Sequence, residues 1–337
     1  MKAEILPTHT LDLFEAAVQR AAARLRSGEV VALPTETVYG LAANALDSRA
    51  VSEIFRIKGR PAHNPIIVHV ASLEMAERCV EKWPVLADRL AAAFWPGPLT
   101  IVLPRSKEIP DLVTAGGPTV GIRWPAHPFI QAVIRECGFP LAAPSANLSN
   151  HVSPTNAAHV RRQLGEKISL IVDGGQSQIG IESTVLDLTA LPPRVLRPGM
   201  VHGPALSAVI GDVSGADDGP VPESALRSPG LLKKHYSPRA KLVILEWKND
   251  ADLRRQLAGR NVYLKTSHVI PHSVVPSAEG FGRVSVVPHD AEAFARALYA
   301  ELHQCDEAGA ELIVVEALPA GDEWRAIADR LKRAAAI

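Results

Sequence analysis

Several common chemical devices are missing from this chain. Its 337 residues hold only three cysteines, Cys79, Cys137 and Cys305, far apart and with no CxxC pair. They make no disulfide framework, and a reduced cytoplasmic setting is expected. No stretch approaches 18 uncharged apolar residues, so neither a transmembrane helix nor a membrane partner is expected. The opening MKAEILPTHTLDLFEAA carries acids and lacks a continuous apolar region, so no signal peptide is expected. Charge of one sign is not in excess: 36 Lys and Arg balance 36 Asp and Glu. That argues against bulk nucleic-acid binding but leaves a local basic cleft open. There is no GxxxxGK(S/T), no GxGxxG opening a helix, no HExxH and no GxSxG. The twelve histidines have no metal-ligand spacing. Covalent or zinc catalysis therefore has no evident carrier.

What is present is a chain that is 47% hydrophobic and 21% charged, long enough for two domains. Residues 11–27 have apolar residues at helical spacing and stop at Gly28. VVAL reads as a strand, SRAVSEIFRIKG as a helix ending near Lys58, and PIIVHV, LTIVLP and TVGIR as strands. HPFIQAVIREC predicts a helix, PLAA a strand, TNAAHVRRQLG a helix, and SLIVDGG, STVLDL and RVLRPG three more strands. Elements alternate, yet some strands follow one another directly, which implies an α/β domain with a mixed sheet. From about Gly211 the texture turns rich in Gly, Pro, Ser and Asp, as a linker does. KLVILEW, NVYLK, a long helix around AEAFARALYAELHQC, ELIVVEA and DEWRAIADRLKRAAA then form a second α/β unit of about 100 residues.

Polar residues collect where the strands end. LPTETVYGL places Thr35, Glu36, Thr37 and Tyr39 in one short turn, which needs Gly, Pro, Asn or Asp but not these. The carboxyl ends of strands in open α/β sheets are where ligands bind. KGRPAHNP supplies Lys58, Arg60 and Asn64; it suits an anion, or it is a solvated helix end where cations are favoured anyway. His69 inside the apolar run PIIVHV reads more readily as a satisfied core histidine than as a ligand. Thr119 and Arg123 lie in TVGIRWPAHP, and a buried arginine is costly unless paired, so an anionic partner is expected. APSANLSNHVSPT brings Ser145, Asn147 and Ser153, although Ser153 or Thr155 could simply cap the next helix. Glu182, Ser183 and Thr184, and then Arg197 before Pro198-Gly199, complete the set. Together, cations among hydroxyls suit a polyanionic small molecule.

The ordered stretches PTETVYGL, KGRPAHNPIIVH, WPGPLTIVLP, TVGIRWPAHP, PLAAPSANLS, SPT, IVDGG, ESTV and VLRPG resemble the threonylcarbamoyl-AMP synthase (YrdC-like) family over roughly residues 15–200. SPGLLKKHYSPRAKL and the C-terminal unit resemble its two-domain branch, although Ala328-Asp329-Arg330 has Asp where an Asn is expected before the arginine. The resemblance implies a twisted mixed parallel/antiparallel sheet around a large basic cavity, plus a smaller C-terminal α/β (Rossmann-like) domain. It implies a nucleotidyltransferase that turns L-threonine, bicarbonate and ATP into threonylcarbamoyl-AMP and pyrophosphate. The product would serve a tRNA threonylcarbamoyl transferase complex, with Mg2+ accompanying ATP and weak tRNA binding. Carried over by motif, Thr37, His69, Arg123, the backbone near Ala143, and Ser183 would contact threonine. Arg60, Asn64, Thr119, Ser145, Asn147, Ser153, Arg197 and Tyr236 would contact ATP, and Lys58 and Arg60 would be catalytic. No metal ligand from protein side chains is assigned.

Two rival functions remain open: a carbamoyl-adenylate transferase, and a non-catalytic double-stranded RNA or ribosome-binding factor. The expected boundaries are a catalytic domain at 1–210, a linker at 211–238 and a C-terminal α/β domain at 239–337. The linker is expected to cross the cavity mouth as a lid with Tyr236 reaching ATP, or else merely to anchor itself to the second domain.

Overall fold

The computed structural model of the chain describes residues 2–215, 235–260 and 263–336. Two compact units divide it. The first comprises the described residues up to 149 and from 153 to 215, and the second takes 150–152 and the described residues from 235 onward. Most of the expected linker, residues 216–234, lies outside the described residues, and so does the lid assigned to it.

The first unit contains β1 (Glu4–Pro7), α1 (Leu11–Arg26), β2 (Val31–Leu33), β3 (Gly40–Asn44), α2 (Ser48–Lys58), β4 (Val68–His69), α3 (Leu73–Arg78), α4 (Val85–Phe94), β5 (Leu99–Pro104), α5 (Asp111–Thr114), β6 (Thr119–Arg123), α6 (Pro128–Cys137), β7 (Leu141–Ala142), α7 (Ala157–Leu164), β8 (Leu170–Asp173), β9 (Thr184–Asp187), β10 (Arg194–Arg197) and α8 (Gly203–Ile210). Its strands form a ten-stranded sheet in the order β1-β8-β2-β3-β7-β4-β6-β5-β9-β10. The sheet is mixed: β1 with β8, β2 with β8, β4 with β6 and β5 with β9 run parallel, and the other neighbours antiparallel.

Local chemistry explains the helices that hold the site. In α1 the Thr10 side chain caps Leu13 N, Asp12 sits in the first turn and Arg24 and Arg26 in the last, each favourable for the helix dipole. Ala17, Val18, Ala21, Ala22 and Leu25 bury one face, and Phe14 meets Phe129 of α6 edge-to-face at 5.2 Å. Each large apolar side chain so buried contributes about 1.5–3 kcal/mol. In α2 Asp47 caps Arg49 N, and Gly59 stops the helix in the left-handed region at φ 60°, which only glycine adopts freely. That stop places Lys58 at the helix end and frees Arg60 from the helix.

Some expectations need correcting. Of PIIVHV only Val68–His69 is strand, because this segment pairs β6 and β7 over just two residues. β1, β3, α3, α4 and α8 were not visible as sequence patterns. α7 is capped by Asn156, whose Oδ1 accepts from His159 N at 2.9 Å, and not by Ser153 or Thr155.

The second unit contains β11 (Lys241–Leu245), α9 (Asp250–Ala258), β12 (Ser267–Ile270), β13 (Arg283–Val284), α10 (Ala291–Glu307), β14 (Leu312–Glu316) and α11 (Asp322–Ala334). Its parallel sheet runs β11-β14-β12-β13. Leu264–Thr266, which overlaps the last two residues of the expected NVYLK segment, is a 3-10 turn preceding β12. Asp329, the departure noted in the sequence, binds Arg330 Nη1 at 2.8 Å and Arg333 Nε at 2.9 Å.

Candidate functional site

The turn between β2 and β3 explains its own odd composition. Thr35 Oγ1 donates to Val38 O at 2.6 Å and accepts from the N–H groups of Thr37 and Val38, closing the turn. Its single proton is then committed, so in the 2.9 Å contact between Thr35 and Thr37 the Thr37 hydroxyl donates. Tyr39 OH donates to Gly175 O at 2.7 Å and accepts from Gly174 N at 3.1 Å, tying the turn to the loop after β8. Thr35 and Tyr39 therefore build the turn, and Glu36 and Thr37 face Arg123.

Arg123 ends β6 and is buried. Its Nε donates to Gly97 O at 3.2 Å and its Nη1 to Thr37 Oγ1 at 2.9 Å. Its Nη2 lies 2.7 Å from Glu36 Oε1, an ion pair without a well-aligned hydrogen bond. Glu36 thus gives the buried Arg123 an anionic neighbour from within the protein. Burial pushes the Glu36 carboxyl up, but the Arg123 charge and the Ala126 N–H outweigh it and hold the group below its ordinary value. His69 is the register partner of Arg123 across β4 and β6. Burial, then the Arg123 charge, pushes its pKa down to about 3, so the ring is neutral. Three atoms around this point have no hydrogen-bond partner in the protein or lie in poorly aligned contact: His69 Nδ1, Glu36 Oε2 and Arg123 Nη2. Buried polar atoms are nearly always bonded, so such atoms mark where a ligand would complete the set.

The remaining candidates form neighbouring groups. Lys58 Nζ donates to the carbonyls of Ser145 and Asn147, the latter at 2.6 Å, and so clamps the loop after β7. Burial, then the nearby Arg60, pushes Lys58 well below its ordinary value, against a smaller upward pull from Glu182. Asn147 Nδ2 donates to Leu148 O at 2.8 Å. Arg60 binds Asn64 through Nε to O at 3.0 Å and Nη2 to Oδ1 at 2.7 Å, leaving Asn64 Nδ2 buried with no partner. Ser183 accepts from Arg197 Nη2 at 3.0 Å and shares a 2.8 Å contact with Thr100. Gly199 is obligatory here, since a Cβ on it would sit 2.3 Å from Thr184 N. Ser153 Oγ donates to Glu182 at 2.6 Å. Thr119 lines a small crevice of about 10 Å³ with Ile67, Thr100, Gly121 and Val185.

Backbone bonds draw these groups around the turn. Ala146 N donates to Tyr39 O, Tyr39 N to Pro154 O, Ile179 N to Glu36 O and Gly180 N to Thr37 O. Ala143 Cβ lies 3.2 Å from where a Cβ on Gly40 would stand, so glycine lets β3 approach β7. Tyr236 belongs to the second unit. There it stacks on Tyr299 at 5.8 Å, with the Arg330 guanidinium 5.2 Å over its ring, and it holds a left-handed φ of 59°. The sequence pattern placed Glu36 and Glu182 among the polar clusters without giving either a role, and it did not single out Thr100, because their partners lie 29 to 87 positions away. A carboxylate inside an otherwise hydroxyl-rich turn was the one available signal for Glu36. Among the described residues no group of three or more His, Cys, Asp or Glu side chains could hold a metal ion.

Comparison with known proteins bears on both units. A family described as "Telomere recombination", of Sua5, YciO and YrdC type, matches residues 23–199, and one described as "Threonylcarbamoyl-AMP synthase, C-terminal domain" matches 201–336. A protein of Pyrococcus abyssi named threonylcarbamoyl-AMP synthase is 40% identical over 94% of this chain and 93% of its own. One of Bacillus subtilis with the same name is 41% identical over 97% and 95%. A solved structure of P. abyssi Sua5 complexed with L-threonine superposes with a TM-score of 0.89 at 37% identity, covering 99% of this chain and 98% of that one. With both halves matched in order, the chain belongs to the threonylcarbamoyl-AMP synthase family, in its two-domain Sua5 form.

Proposed function

We propose that this chain makes threonylcarbamoyl-AMP and pyrophosphate from L-threonine, bicarbonate and ATP, as a nucleotidyltransferase serving tRNA modification. The observation that carries this reading is the Arg123 cluster: a fixed guanidinium beside a neutral histidine, with buried polar atoms still awaiting partners. An amino-acid carboxylate suits it, since charge-assisted bonds to Arg are strong and directional. Thr37, the backbone at Ala143 and Ser183 would hold the rest of threonine.

In the proposed reaction the substrate is its own nucleophile. Bicarbonate takes up a proton and loses water to give CO2; the neutral threonine nitrogen bonds to its carbon and releases a proton, giving a carbamate. A carbamate oxygen bonds to the α-phosphorus, and the bond to pyrophosphate breaks. No catalytic Ser, Cys or His is needed, so the protein's task is positioning and charge stabilisation. Arg60 with Asn64, Thr119, Ser145, Asn147, Ser153 and Arg197 would receive ATP. Lys58 shapes the loop that presents Ser145 and Asn147, and with Arg60 it brings positive charge to the phosphates. Mg2+ would enter on the phosphates of ATP. A tRNA threonylcarbamoyl transferase would consume the product. A cytoplasmic setting belongs to the same proposal; none of the helices among the described residues is long and apolar enough to cross a membrane.

The test is to incubate the protein with ATP, L-threonine, bicarbonate and Mg2+ and to follow pyrophosphate and the mixed anhydride by mass spectrometry. Both should require all three substrates. Pyrophosphate release that proceeds equally without threonine would overturn the reading.

A further inference from the structure

Arg123 does not hold its position unaided, and its most unusual neighbour is a carboxylate. A substrate carboxylate and Glu36 would compete for one guanidinium, so a buried anion at this place needs a reason. The geometry supplies one. Glu36 Oε1 lies 2.7 Å from Nη2 and also accepts from Ala126 N at 2.9 Å, on the segment just after β6. Its backbone carbonyl accepts from Ile179 N at 2.8 Å. Glu36 thus ties three segments together at the end of the guanidinium opposite Nε, which Gly97 O holds. Both side chains are 5% exposed, so the attraction between them is little screened.

We propose that Glu36 is a positioning residue for the amino-acid substrate: it holds the Arg123 guanidinium in one orientation and acts on threonine only through that group. This rests on the function proposed above. The poorly aligned Nη2 contact leaves an N–H of Arg123 to be shared with an incoming carboxylate. Glu36 itself is not a contact for the substrate carboxylate, since two anions repel. The opposing effect is that removing Glu36 would leave Arg123 more attractive to a carboxylate. Orientation decides the outcome, because a guanidinium with one anchor lost can turn toward water or toward Gly97 and Thr37 alone.

The experiment compares the wild type, Glu36→Gln, Glu36→Asp, Arg123→Ala and the Glu36→Gln/Arg123→Ala double variant, by steady-state kinetics and by threonine-binding calorimetry. Glu36→Gln should raise KM for threonine, and its Kd, by about tenfold or more, with KM for ATP unchanged. Glu36→Asp should recover part of the loss. In the Arg123→Ala background Glu36→Gln should add nothing, because the two act as one unit. A lowered threonine KM in Glu36→Gln would make Glu36 a competitor and overturn the proposal. So would losses that add in the double variant, or an equal rise in KM for ATP, either of which would indicate a structural role only. An inactive wild type would instead refute the proposed function, and calorimetry would still report on Glu36.

Discussion

Two buried polar clusters, one in each unit, are built alike and finished differently. In the second unit Glu316 ends β14 and its carboxylate accepts from the N–H groups of His272, Ser273 and Val274 and from the Ser273 hydroxyl. His272 is bonded at both ring nitrogens, to His289 Nδ1 at 2.7 Å and Ala317 O at 3.0 Å, and packs between Phe294 and Trp324. In the first unit Glu36, His69 and Arg123 are as deeply buried, yet atoms on each lack a partner or a good angle. Both sit at strand ends of a sheet. A satisfied cluster rigidifies a fold, and an unsatisfied one costs stability unless something arrives to complete it. The difference separates a structural use of polarity from a receptive one.

The sharpest test of this contrast is Arg123→Ala. It should weaken threonine binding by about tenfold or more, still within reach of measurement, and also lower stability by roughly 3–5 kcal/mol, because Glu36 is left buried and uncompensated. Thermal unfolding should show part of that loss restored when Glu36→Gln is added. A stability equal to wild type in the single variant would show that the pair is not desolvated as described. Next in size is Lys58→Met, which removes the clamp on the carbonyls of Ser145 and Asn147. Turnover should fall on the order of a hundredfold, with ATP affinity affected less. Unchanged turnover at saturating ATP would return this segment to a plain helix end.

Glu316→Gln probes the satisfied cluster. It should cost about 1–3 kcal/mol, seen as a lower Tm, and leave KM for threonine untouched; a change in that KM would break the comparison. The pH dependence follows from the same contacts. Burial pushes the Glu316 carboxyl up, but the Ser273 hydroxyl and the backbone N–H groups outweigh it, so its folded pKa lies below the ordinary 4.5. Its contribution is therefore complete above 4.5 and is lost as pH falls through the lower folded value. The variant's Tm should depend less on pH in that window. The smallest effect belongs to Glu53→Gln on the exposed face of α2, where the pair with Arg56 is open to water. Neither Tm nor kinetics should change measurably.

Much of this protein was decided by sequence alone. Helical spacing, the Thr10 and Asp47 caps and the Gly59 and Gly138 stops specify α1, α2 and α6 locally, so these helices were legible. The collinear polar motifs named the family and most candidate residues, because each motif is contiguous. The short β1, β3 and β4 were not legible as they stand, since two to five residues carry too little pattern and exist only through their neighbours. Nor was the division of labour in PTETVY. Whether Thr35 closes a turn and Glu36 meets Arg123, 87 positions away, depends on which strands lie side by side. That pairing is set by burial and backbone hydrogen bonding over the whole sheet, and only the tertiary structure states it.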